Sequence, residues 1–350
     1  MKLSPRLVLT LVTAAALASC ASPPPPPPLP VAVVPPAAPP PPPVGLPASV
    51  IQSAGAYRAY MRRAADISPA FADGAAVEQS LISGVSYEPH QFLRGAIAYG
   101  ALMALQSPQF VASVRTFAVD PAGRRALAAR LLADPNYAQA LPSADAAAGL
   151  IVAALTADAA RVRHAGELVK QAAYDVQHQA WSKGEVAGRD ARLATAKTAS
   201  TQPVSAAPED VTLLSAAVSG QSGALAVAGD VLSPPYTAVV SRALTLAAVA
   251  ALGEAGDDAA LQPLFEEKTG DFCLNMAKLN VYQCLSVAKP YYEDVFCLGQ
   301  HVLLDTAQCV AKIAGAVTPA VVAEAAPPPA PVPVVKAKTS AKPRPKVKAK

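Results

Sequence analysis

The chain has 350 residues, 52% hydrophobic and only 15% charged, with 36 prolines, five cysteines and a formal net charge of +4. Seven cations and no acid fall at Lys336, Lys338, Lys342, Arg344, Lys346, Lys348 and Lys350, which leaves residues 48–325 with 20 of the 29 basic residues against all 25 acidic ones. A mildly acidic body with a basic arm excludes a folded nucleic-acid-binding domain, whose charge would sit on a structured face, and no nucleic-acid partner is expected. The arm points instead to an anionic polymer.

At the N-terminus, Lys2 and Arg6 flank the start of an apolar run from Leu7 to Leu17, about half the length that crosses a bilayer. Leu17, Ala18, Ser19 and Cys20 follow. This stretch resembles the lipobox of bacterial lipoprotein precursors, a likeness confined to the first twenty or so residues. The resemblance implies removal of residues 1–19 and acylation of Cys20. Ala21 at the next position implies the outer membrane, with the chain facing the periplasm and tethered to the membrane by its lipid. Each buried methylene of an acyl chain contributes about 0.8 kcal/mol, so several chains on one residue anchor firmly.

Residues 20–47 read as a stalk of Pro, Ala and Val, a composition that favours polyproline II over folding. A second biased segment, 326–350, is first Pro-rich and then basic, and both segments are expected to be disordered. Between them the apolar spacing is helical, β-branched alternation is scarce, and breakers fall between periodic segments, so the expected fold class is all-α, a multi-helix bundle.

In chain order, Ser49 is the expected cap of a helix over 50–65 with Ile51, Ala54, Tyr57 and Met61 on one side. Helices follow over 74–85, from Pro89 through Leu105, over 108–118, and from Asp120-Pro121 to before Pro135. Ser143 is expected to cap a long helix, or two with a break near Gly184, running to residue 199. Residues 200–208 read as a loop and a possible boundary between helical segments 48–199 and 209–325, which form either two domains or one. Beyond it the pattern predicts helices over 209–218, 235–253 and 257–267. The run Ala238–Leu252 is strongly apolar, but fifteen residues with an internal Arg242 make a core helix, not a span.

Cys273, Cys284, Cys297 and Cys309 lie on two helical segments separated by Lys289-Pro290, with Asp271 as the expected cap of the first, and so read as an antiparallel hairpin. Facing residues in such a hairpin have a nearly constant index sum, which pairs Cys284 with Cys297 and Cys273 with Cys309. Cys273 and Cys284 would stand roughly 16 Å apart on one helix, too far for a disulfide. The spacing is similar to that of twin-cysteine coiled-coil-helix modules, with one or two more residues per interval, and the likeness is one of geometry alone. A short C-x₂₋₄-C pair for zinc and a C-x-x-C redox pair are both missing. Tyr282, Tyr291, Tyr292 and Phe296 are expected to pack the hairpin onto the body, with a partner surface as their other use.

His164, Glu167, Gln171, Asp175 and His178 form a polar line at helical spacing, but the histidines would be about 21 Å apart along a helix and cannot share an ion. Leu168, Val169, Ala172 and Val176 are expected to point away from this line. No metalloprotease, nucleophile-elbow, phosphate-loop or dinucleotide motif occurs. A helical cell-wall hydrolase would need a cleft glutamate, and Glu78, Glu88, Glu167, Glu185 and Glu254 qualify equally. The expectation is therefore an envelope lipoprotein with a structural or interaction role, no cofactor and no metal. It would bridge the outer membrane to peptidoglycan or another anionic envelope polymer, or contact envelope proteins. A hydrolase or a protein-assembly factor are the alternatives.

Overall fold

The computed structural model describes residues 40–220, 225 and 228–315, and every structural statement below concerns these residues. Thirteen α-helices and no strand are found among them. They are α1 Ala48–Ala65, α2 Gly74–Val85, α3 Pro89–Ala104, α4 Pro108–Arg115, α5 Pro121–Ala133, α6 Ala144–Val176, α7 Arg189–Ala199, α8 Pro208–Val218, α9 Ala238–Leu252, α10 Asp258–Leu261, α11 Lys268–Val287, α12 Tyr291–Cys297 and α13 Asp305–Ala314. The expected all-α fold with a disulfide-stapled C-terminal hairpin is the observed one.

Helix starts are set by acids and serines that accept the first free backbone N–H groups. Asp73, Glu88, Ser107, Asp120, Asp257 and Glu267 do so for α2, α3, α4, α5, α10 and α11. Three expected caps are corrected. Ser49 lies inside α1, which starts behind Pro47, and its hydroxyl donates to Asp258 Oδ1 at 2.7 Å. Ser143 precedes α6 in a left-handed conformation (φ 61°) and makes no side-chain cap. Asp271 sits within the first turn of α11, where its charge suits the helix dipole, while Glu267 binds the N–H groups of Thr269 and Gly270.

α6, at 33 residues and about 50 Å, is the axle of the fold. The N-terminal helices α1 and α3, the apolar α9 and the C-terminal α12 and α13 all pack against it. Helices from both sides of loop 200–208 thus share one continuous core. Thirteen of the fifteen residues of α9 are buried, and Gly253 ends it in a left-handed turn (φ 75°). Arg242 reaches past the helix surface to donate to the Pro263 carbonyl. None of the described helices is long and apolar enough to cross a membrane.

The break after α6 comes earlier than Gly184: the helix ends at Val176, a short turn Trp181–Lys183 follows, and Gly188 (φ 63°) starts α7. The stalk boundary is also corrected. Residues 40–47 lie along the body, where Arg115 Nη1 donates to the Pro42 carbonyl at 2.9 Å, Gly45 N–H meets the Ala250 carbonyl at 3.4 Å, and Leu46 packs on the core. Chain entry at Pro42 abuts Gly253 at the C-terminal end of α9, whereas Gly315, which closes α13, abuts Thr237 at its N-terminal end. The two ends of the body are therefore separated by the length of α9, about 22 Å.

Candidate functional site

The cysteine hairpin is the best-defined chemical feature. Cys273–Cys309 and Cys284–Cys297 are bonded, each with a Cα–Cα separation of 5.7 Å. The return strand of the hairpin runs from α12 through a π-helical stretch, Leu298–Leu304, into α13 without a break. That stretch brings Gly299 against α6, where an added Cβ would stand 2.5 Å from the Lys170 backbone nitrogen. The absence of a side chain at Gly299 lets the two helices approach this closely.

α7 secures the hairpin turn. Arg189 donates to the carbonyls of Ala288 and Ser286, and Arg192 to that of Leu285, so two guanidinium groups satisfy the carbonyls that end α11. Arg192 also holds both oxygens of Asp294 at 2.6 Å in a buried ion pair. Burial pushes the Asp294 carboxyl up to about 6, against the pull of Arg192. Further tethering comes from the loop after α6: Val186 N–H donates to the Lys289 carbonyl at 2.8 Å and Tyr291 N–H to the Gly184 carbonyl at 3.3 Å, a small antiparallel bridge.

Between α6, α11 and α12 this arrangement leaves an apolar groove of about 270 Å³ beside the Cys284–Cys297 bridge, walled by Tyr174, Val287, Tyr292 and Phe296. The groove continues, through shared Gln177 and Tyr292, into a polar recess of about 420 Å³ lined by His178, Lys183, Glu185 and Lys289. Tyr174 and Val287 are 50% and 71% exposed, so the apolar wall is open to solvent. Tyr282, Tyr292 and Phe296 pack on the core as expected, and Tyr291 faces Trp181 with ring centroids 6.5 Å apart.

A larger recess, about 790 Å³, lies under loop 203–208, where Gln91 makes two hydrogen bonds with the Val204 backbone. Its wall carries Ser49, Ser53 and Arg94 and no histidine, and the Ser49 hydroxyl donates to Asp258 Oδ1. The polar line is exposed at His164, Glu167, Gln171 and Asp175 on α6 and at His178 two residues past its end. Leu168, expected to point inward, is 43% exposed, because Val169, Ala172 and Val176 suffice to seat that turn on the core.

The five glutamates diverge. Glu88 caps α3, Glu254 accepts from Arg124 at 2.5 Å, Glu185 lies at the groove mouth 3.9 Å from Arg189, and Glu78 and Glu167 are exposed. Glu185 shares the joined recesses with Glu293, which accepts from the Lys289 N–H at 2.8 Å. Sequence reasoning missed a polar cluster with buried acids in which Arg161 binds Asp158 while Arg58 and Arg62 bind Asp210, with Tyr57 and Tyr99 beside them. Burial raises the Asp158 carboxyl and lifts the Tyr57 hydroxyl well above its ordinary range. Tyr57, Asp158 and Asp210 are 1%, 5% and 1% exposed, while the side chains of Arg62 and Arg161 stay 44% and 61% exposed. Asp158 lies on the apolar face of α6, and an acid in that register was the signal available.

Cys20 and the seven basic residues Lys336, Lys338, Lys342, Arg344, Lys346, Lys348 and Lys350 lie outside the described residues. No protein-family model, curated protein sequence or solved structure matches the chain.

Proposed function

We propose that the protein is an envelope lipoprotein that spaces the outer membrane from an anionic polymer of the cell wall, with the helical body as the rigid spacer. The observation that carries this reading is the placement of the body's two ends at opposite ends of α9: the chain arrives from the Cys20 side against Gly253 and leaves toward the lysine-rich arm against Thr237. A lipid anchor and a cationic contact would then attach to the body through points about 22 Å apart. The body between them is built to hold its shape, with one core, two disulfides and a buried Arg192–Asp294 pair near the hairpin turn.

The test has an anchor arm and a wall arm. Cys20→Ser is expected to move the protein from the membrane fraction to the soluble envelope fraction. For the wall arm, protein starting at Ala21 is sedimented with purified sacculi beside a form in which the seven basic residues of 336–350 are replaced by Gln. Binding by the first form alone, fading between about 0.1 and 1 M salt as the screening length shrinks from about 10 to 3 Å, is the expected result. Equal binding by both forms would transfer the contact to the folded body and end this reading of the arm.

A further inference from the structure

We infer that a closed space between α11 and the π-helical stretch is a binding site for one internal water molecule, which accepts a hydrogen bond from the buried ammonium of Lys278. This inference goes beyond the spacer role and does not rest on it. Room, donor and acceptors each point to it.

The space, of about 10 Å³, lies where five segments meet: Val85 at the end of α2 with Tyr87 just after it, Ser200 at the end of α7, Lys278 of α11, His301 of the π-helical stretch and Thr306 of α13. Alanine and valine side chains complete the lining, and every lining residue except His301 is buried. A single internal water needs roughly 10–15 Å³ and two to four polar partners, and spaces of this size that stay dry are apolar. This one is not.

The donor is Lys278. An ammonium carries three N–H groups. The Val85 carbonyl takes one at 2.6 Å, and the Tyr87 ring, with its centroid 3.5 Å from Nζ, takes a second. No acceptor for the third is found among the described residues, and Glu88, the acid that acts on Lys278 from a distance, is committed to the first N–H groups of α3. Leaving a charged donor unpaired in the interior is costlier than leaving a neutral one.

Acceptors stand around the same space. Tyr87 Oη and Thr306 Oγ1 are 3.2 Å apart, so one donates to the other and both oxygens keep a lone pair for a further hydrogen. Ser200 donates to the Ala196 carbonyl at 2.7 Å, which leaves its oxygen able to accept. His301 has Nδ1 3.0 Å from Asp305 Oδ2 and keeps Nε2 for another partner. Water offers the lone pair that the ammonium lacks and the hydrogens that these atoms accept. A halide ion would suit the ammonium, but the Val85 carbonyl oxygen and the negative face of the Tyr87 ring would repel it.

The test is a crystal structure of protein starting at Ala21, at a resolution that shows ordered waters, with one crystal soaked in bromide. Expected is a single density peak within hydrogen-bond reach of Lys278 Nζ and of at least one oxygen of Tyr87, Thr306 or Ser200, without the anomalous signal of bromide. Lys278→Met should lose the peak, and in solution oxygen-17 relaxation dispersion should count one long-lived internal water fewer than in the wild type. A melting curve checks that this variant is folded, and where it is not, the wild-type density alone decides. Absence of the peak would overturn the inference and leave the side chains to close the space themselves. A bromide signal at that place would overturn it in favour of an anion site. A peak that persists in Lys278→Met would overturn the role of the ammonium and tie the water to the hydroxyl groups alone.

Discussion

Lys278 is buried to 6% exposure on the inner face of α11, with its ammonium donating to the Val85 carbonyl at 2.6 Å and lying 3.5 Å from the centroid of the Tyr87 ring. No carboxylate among the described residues forms an ion pair with it. Burial pushes the ammonium down to about 7, with the more distant Glu88 pulling the other way. In the unfolded chain a lysine titrates near 10.4, so between about pH 7 and 10 the unfolded state binds the extra proton and stability rises with pH. The buried tyrosines Tyr57, Tyr60 and Tyr87, raised by burial, oppose this only above about pH 9.5, where unfolded tyrosines begin to ionise. Urea unfolding should therefore show the wild type gaining on the order of 2 kcal/mol from pH 7 to pH 9 relative to Lys278→Met, because a one-proton difference between the two states is worth about 1.4 kcal/mol for each pH step of one. Parallel pH profiles for the two proteins would show that the ring and the carbonyl compensate the charge fully. Such a residue is hard to read from sequence, because a lysine on an apolar helix face usually extends its stem and keeps its head in water.

At the scale of elements, the hairpin was legible and the groove was not, for one physical reason. Cysteine pairing follows from index sums on two antiparallel helices that are neighbours in the chain, so local geometry decides it. The groove needs Tyr174 of α6 beside Val287 of α11, residues more than a hundred positions apart, and that contact depends on how the hairpin docks. Caps failed for a related reason: Ser49 and Ser143 have the right chemistry, but Pro47 and a left-handed turn at residue 143 decide where α1 and α6 begin. The two disulfides should contribute unequally. Their sequence separations are 36 and 13, so in the chain-entropy model the outer bridge removes about 4 kcal/mol of unfolded-state freedom and the inner about 3. Cys273→Ser with Cys309→Ser should lower the urea midpoint further than Cys284→Ser with Cys297→Ser. The reverse order would mean that the inner bridge acts through the native state, by holding the α11 end that Arg189 and Arg192 cap.

For the whole molecule the important boundary is where the stalk ends and the body begins. Composition alone places it at residue 47, since a run of prolines reads the same whether it is free in solvent or laid along a helix. The structure puts residues 40–47 on the body, with Arg115 bridging the carbonyls of Pro42 and Ala251 and Leu46 filling a place in the core. Residues 20–39 of the expected stalk lie outside the described residues. The described chain begins at the Gly253 end of α9. A protein beginning at residue 40 should consequently melt higher than one beginning at residue 48. Losing the Leu46 contacts and two hydrogen bonds costs on the order of 2 kcal/mol, which corresponds to a fall of roughly 3–4 °C for a body of this size. Scanning calorimetry of the two proteins decides it. Identical melting temperatures would mean that residues 40–47 only lean on the body and that the stalk boundary belongs at residue 47, where composition places it.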